Sequence, residues 1–445
     1  MRQQYEPSAD RIIALYQQLE DDILSAVIRR ILKMGYVSEA SKHQLEVLQA
    51  AGLLYDDIVQ LIADRTDACT AQVKALFEDA GVQTVEIDNS LHEAAGALPI
   101  DIRQDSSTRQ VLEAGYKKTL GTMQNLVSTT ATQTQTAFIQ TCDRIYMQVS
   151  SGAFSYQEAI MNALRALADT GATVSYPTGH TDRMDVAVRR CVLTGVSQTA
   201  AAVSLRQAED AGCYLMEITA HSGARPDHAK WQGQLVTITG KDAGKIIDGL
   251  RVFTLSEIGY GSGEGFKGWN CRHNWHAYYP GFSTPNYTPE ELKKLDEPCI
   301  SYNGKLYTEY EVSQMQRAQE RRVRAWKRRC ITAQESVNSA TDEATRATAQ
   351  AEFDRSARYL KNNEAKLKDF CRKTGQDRDR FREQVLGFNR STAQKAVHAA
   401  QQDDSPIKET MENAVASIKN KLTKNQKSGT INLGEVKNYG KKHAK

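Results

Sequence analysis

The 445-residue sequence has no run of about 18 consecutive apolar residues, so no segment of it reads as a membrane-spanning helix. Its first residues, Met1 to Pro7, lack the apolar centre of a secretion signal. A chain made and used in a cytoplasm, or in something assembled there, is therefore expected. The eight cysteines (69, 142, 191, 213, 271, 299, 330 and 371) form no CxxC pair and no tight framework. That scatter suits reduced, mostly buried thiols and argues against a disulfide scaffold. An excess of one charge is missing too: 57 Lys and Arg against 54 Asp and Glu leave +3, so only the distribution of charge is informative. Glycine and proline are modest, and 40% hydrophobic with 25% charged residues is the composition of a folded protein. The sequence shows no internal repeat. Its length allows roughly two to four domains with a sizeable core.

What is present first is helical periodicity. Ile12, Ile13, Tyr16, Leu19, Ile23, Val27 and Ile31 recur at three- and four-residue steps, one stripe of an amphipathic helix stopping near Gly35. A second helix is predicted over about 39–52, and a third from Asp56 to about Asp79, before Gly81. Ser107 to Val149 reads as a long polar helix whose Thr- and Gln-rich middle has almost no apolar stripe, so exposure on several sides or packing against partner subunits is expected. Ser155 and Glu158 form a capping box for a helix ending at Gly171, and another helix covers Asp185 to Ala211. From Cys213 the period changes. Residues 213–219, 234–239 and 249–254 read as short strands of a small α/β module whose histidines and one cysteine lie in two loops. Beyond it, Thr288-Pro289 starts a short helix and Asn303-Gly304 marks a hairpin turn. Thr308 and Glu311 cap a long helix with a seam from Val312 to Ala344, and residues 353–370 fold back on it. The tail after Gln401 is polar and lysine-rich, and reads as a mobile arm.

Three of the four tryptophans and four of the nine histidines fall between His221 and His276. Three readings of this constellation stay open. Cys271 with His273 or His276, together with His221 and His228, is enough for tetrahedral zinc, although the spacings match no standard finger. A Cys–His pair, or a His-Asn-Trp-His metal site, would suit a nuclease or other hydrolase using His221, His228, Cys271 and His276, but Asp227 is the only carboxylate at a telling spacing. The preferred reading is a hydrogen-bonded loop network. In it Arg225 and Arg272 bridge backbone carbonyls, the imidazoles act as polar struts, and Trp231, Trp269 and Trp275 fill the core beneath. The glycines at 259, 261, 263, 265 and 268 lack the Lys-Ser/Thr ending of a phosphate loop and read as a flexible cover. Farther on, Arg317, Arg321, Arg324 and Arg328 share one helix face, which would contact DNA or an acidic partner, or would simply be solvated.

The blocks HSGARPDHAKWQG (from His221), GWNCRHNWHAYYPG (from Gly268) and YTEYEVSQMQRAQERRVRAWKRR (from Tyr307) resemble, in order and separation, the phage minor capsid protein 2 family, which is related to Mu F-like head-morphogenesis proteins. The resemblance spans about residues 5–400. It makes His221, Arg225, His228, Trp231, Gly233, Asn270, Cys271, Arg272 and His273 signature positions, with His273 standing where Mu F-like modules carry a second cysteine. It implies a structural, non-enzymatic role in the phage head: portal and capsid proteins as partners, packaged DNA as a sequence-blind contact, no membrane and no required cofactor. The expected architecture is α-rich α+β: a helical region over 1–211, a small Mu F-like α/β module over 212–285, a helical hairpin with a basic face over 286–400, and the tail over 401–445.

Overall fold

The structure is a computed structural model that describes residues 6–36, 38–102 and 104–402. Helix α1 (Glu6–Met34) buries the predicted stripe completely and ends at Gly35, whose φ of 66° suits only glycine at that point. The two helices expected next are one, α2 (Ala40–Ala94). Gly81 does not terminate it. A Cβ there would come within 2.6 Å of the Leu112 side chain, so this glycine serves close packing against the following helix. Gly52 faces open space and costs only about 1 kcal/mol against alanine, too little to break a long packed helix.

Helix α3 (Ser106–Ser150) starts at Asp105, whose carboxylate accepts from the backbone N–H of Ser107 and Thr108. Its threonine-rich middle is exposed along one side, at Ser128, Thr132 and Thr136, rather than on several. Thr119, Thr130 and Thr134 are buried in a helix packed on α2 and on the later α5. The hydroxyls of Thr122, Thr129 and Thr136 donate to carbonyls a turn back, so they need no outside partner. Helix α4 (Tyr156–Thr170) carries the predicted capping box and stops at Gly171. An unforeseen hairpin, β1 (Thr173–Ser175) with β2 (Thr181–Arg183), leads into α5 (Met184–Asp210); strands of three residues are too short to show alternation. Helices α1 to α5 share the largest apolar core.

The module that follows has strands β3 (Leu215–Ile218), β4 (Leu235–Thr237), β5 (Ile246–Ile247), β6 (Leu250–Thr254) and β7 (Trp275–Ala277). Their order is β5-β6-β4-β3-β7, antiparallel except for the parallel pair β4 and β6. All four residues of β3, an interior strand, are buried, because side chains cover both sheet faces. On one face lie Trp231, Phe266 and Trp275; on the other, Leu215, Leu235, Val252 and Tyr278. β7 falls where a loop was expected. Three residues give no readable period, and it is pairing with β3 that makes them a strand.

Helix α6 (Pro289–Leu295) has a Thr288/Glu291 capping box. Strands β8 (Ile300–Tyr302) and β9 (Lys305–Tyr307) turn through Asn303 and Gly304, both at positive φ as a type I′ turn requires. Helices α7 (Glu309–Ser339) and α8 (Glu343–Thr374) fold back on each other, and α9 (Arg390–Gln402) packs against α8. Val312, Val323, Cys330, Phe353, Leu360, Leu367 and Phe370 fill the space between them. The seam stops with α7, and Ala344 is exposed. All eight cysteines are free thiols, six of them buried. Among the described residues no helix is long and apolar enough to cross a membrane. Apart from residues 401 and 402 the lysine-rich tail lies outside the described residues.

Candidate functional site: a buried histidine and cysteine cluster

Two loops meet against Trp231, Phe266 and Trp275. One leaves β3 and carries His221, Arg225, His228 and Gln232; the other runs from β6 to β7 and carries Glu264, Cys271 and His273. His228, Cys271 and His273 are all buried, and one donor atom from each lies within 4.8 Å of the others. Cys271 Sγ is 3.6 Å from His273 Nδ1, and His273 Nε2 is 3.3 Å from Gln232 Oε1. His228 Nε2 is 2.9 Å from the Glu264 carbonyl, which also accepts from Arg225. The His221 ring lies tilted against that of His273 with centroids 4.4 Å apart, and His228 against Trp231 likewise at 4.4 Å.

Burial dominates the electrostatics here. It lowers the pKa of His221 and His228, and pushes His273 down to about 2, with the neighbouring imidazoles adding to the effect. The three rings are therefore neutral. Burial raises the Cys271 thiol, and brings Lys267, whose ammonium group donates to Ser197, down to about 8.

Several expectations change at this point. His276 does not join the cluster: on β7 it sits opposite Glu217, with Nε2 3.2 Å from the buried Glu217 carboxylate and 2.8 Å from Asn286 Nδ2. Trp269 does not fill the core; it is 53% exposed and lies over Gly263. The glycine stretch is no open flap. Phe266 N–H donates to Ile258 at 2.8 Å and Trp269 N–H to Gly263 at 2.6 Å, while a Cβ on Gly265 would collide with the Gly259 carbonyl. At Gly265 and Gly268 glycine is needed because backbone packs on backbone, and at Gly263 because the Trp269 ring lies there. Gly233, at φ 66°, leaves room for Leu292 and donates its N–H to Ile218. The sequence did not single out the Gln232 side chain or the Glu264 carbonyl; the latter is a backbone acceptor and carries no residue-type signal.

The arginine row also divides. Arg317, Arg321 and Arg324 border a cavity of about 190 Å³ together with Arg189, Arg272 and Arg382, and with the acidic Asp185 and Glu320. Arg328 instead points inward, 3.3 Å from Asp185 and 3.9 Å from Glu20, and Arg324 lies 3.8 Å from Asp185. Arg183 contacts Glu20 and lies 3.7 Å from Asp185. Spacings of three and four serve a buried seam as well as an exposed face, and α7 packs on α1, with Arg324 and Arg328 reaching Asp185 at the start of α5. Glu20 and Asp185, each in an otherwise apolar stripe, were the available signal for this network.

Comparison with known proteins adds one consistent result. The sequence model described as phage minor capsid protein 2 matches residues 2–372. A structural protein of Lactococcus phage LL-H is 24% identical over 343 residues, covering 74% of this chain and 88% of that protein. A structural protein of Lactococcus phage mv4 is 36% identical over 86 residues, 19% of this chain and 61% of that protein. No solved structure matches.

Proposed function

Since the chain belongs to the phage minor capsid protein 2 family, we propose that it is a non-enzymatic component of the phage head that docks on the portal or the inner capsid wall and contacts packaged DNA. The observation that carries this reading is the outer face of α2. Leu45, Leu48, Tyr55 and Val59 recur at three- and four-residue steps with Gly52 between them, and all four side chains are exposed, as is Leu53. A contiguous apolar row on a long helix is what a protein partner covers. For DNA, the contact centres on the exposed Arg321 and Arg322, because Arg324 and Arg328 already face carboxylates.

The histidine and cysteine cluster supports a structural role in this reading. Its three donor residues are buried, and the exposed Asp227 carboxylate lies 3.5 Å from Arg225 and 3.9 Å from His228 Nε2. A hydrolytic metal site instead needs an open ligand position and a poised base.

Heads assembled with Leu48→Asp plus Val59→Asp should lack the protein, while the purified variant keeps its helical circular dichroism. Normal incorporation of that variant would remove α2 as the docking face, and absence of the wild-type chain from both proheads and virions would end the structural reading. Cleavage of duplex DNA by the pure chain with added zinc or magnesium, abolished by His228→Ala, would replace it with the hydrolase.

A further inference from the structure

We propose that His228, Cys271 and His273 are three ligands of a structural zinc ion, and that His221 supplies the fourth. The donor set comes first. One thiolate with imidazoles is borderline-soft, suits zinc, and contains no carboxylate that would favour magnesium or calcium.

The spacing agrees. With Zn–S near 2.3 Å and Zn–N near 2.0 Å, the edge between a sulfur and a nitrogen of a tetrahedral site is roughly 3.6 Å. Cys271 Sγ and His273 Nδ1 are 3.6 Å apart. An S–H donating to an imidazole would also bring these atoms near each other, so the outer partners matter more.

Each imidazole is held through one nitrogen by an oxygen acceptor. His221 Nδ1 is 2.9 Å from the Ser222 carbonyl, His228 Nε2 is 2.9 Å from the Glu264 carbonyl, and His273 Nε2 is 3.3 Å from Gln232 Oε1. With those nitrogens donating, the opposite nitrogen of every ring carries a lone pair, the arrangement that orients metal-bound histidines. For His221 that nitrogen, Nε2, is buried and has no hydrogen-bond partner. A buried acceptor left without a partner is costly unless something else occupies it. His221 is not one of the group of three, but its ring lies tilted against that of His273 with centroids 4.4 Å apart, which places it beside them. Arg225 Nη2 is 2.6 Å from His228 Nε2, and in the other tautomer would donate to it. A zinc ion on Nδ1 selects the tautomer that bonds Glu264.

Such an ion would tie the loop after β3 to the loop before β7, adding to the few hydrogen bonds that already link them. Its binding energy would then be folding energy of the module. The inference does not depend on what the chain contacts in the particle.

The untagged full-length chain, purified from zinc-supplemented cells, should contain about one zinc per chain. Exchange for cobalt should give the visible absorption of a tetrahedral site and a thiolate-to-cobalt charge-transfer band. Cys271→Ser should remove that band, whereas Cys213→Ser, a buried cysteine bonded instead to the Leu215 carbonyl, should keep it. Gln232→Ala, which leaves all four ligands in place, should weaken zinc binding about 10- to 100-fold while the chain remains folded. If Cys271→Ser proves insoluble, Gln232→Ala decides. A folded chain holding less than about a tenth of an equivalent of zinc and taking up cobalt without the band would overturn the site. So would a band that survives Cys271→Ser, or unchanged affinity in Gln232→Ala.

Discussion

Glu20, Asp21 and Asp185 show how individual residues set the behaviour of this fold. Asp185 is fully buried, and three guanidinium groups, Arg328 first, hold its carboxyl below the ordinary range against the opposing effect of burial. Removing one member of a buried ionic group leaves the others uncompensated. Asp185→Asn should therefore lower stability by about 3–5 kcal/mol in urea denaturation; a loss below about 1 kcal/mol would mean the arginines are solvated after all. Asp21 behaves the opposite way. Burial pushes its carboxyl up to about 6, although the Gly387 N–H donates to it at 2.6 Å. The folded chain thus takes up this proton at a higher pH than the unfolded chain does, so the penalty is present above about pH 6 and fades as pH falls towards 4. Asp21→Asn should stabilise by about 1–3 kcal/mol near pH 8 and by much less near pH 4.5. Equal effects at both pH values would show that charge burial is not the cause.

Among the elements, helix ends were easier to read than helix contacts. Caps at Ser155 and Thr308 and the helix start at Thr288 stand where the sequence placed them, because a cap is chemistry within four residues. Thr308→Ala should cost about 1 kcal/mol, measured by thermal denaturation. Interior glycines misled the reading of α2 because close approach by another helix, not local conformation, explains Gly81. The same logic joins α3 and α5 reciprocally. A Cβ on Gly115 would collide with Thr199, and one on Gly195 with Thr119. Gly115→Ala should destabilise by about 1–3 kcal/mol, and Thr199→Ala in the same chain should restore much of that loss. No restoration would show that the helices shift apart instead.

At the scale of the molecule, charge and apolar surface are separated: a basic cavity lies where α5 and α7 meet the 268–272 loop, and an apolar row lies on α2. Binding to random duplex DNA should weaken steeply with salt, and Arg321→Glu with Arg322→Glu should flatten that dependence by roughly one unit of slope per lost phosphate contact. Arg328→Lys, which keeps the buried charge, should leave it unchanged; an equal effect there would mean that the network, not the exposed face, governs binding. The sequence alone determined the α-rich α+β class, most helix termini, the three main strands of the module and the family. Each of these is written in local periodicity, capping chemistry or ordered motifs. Tertiary structure decided which side of each motif faces inward. It took His276 to Glu217 and Trp269 to the surface, turned two of four arginines towards buried carboxylates, and brought His228 to Cys271 and His273. Distances between residues far apart in the chain follow from packing, and no local pattern encodes them.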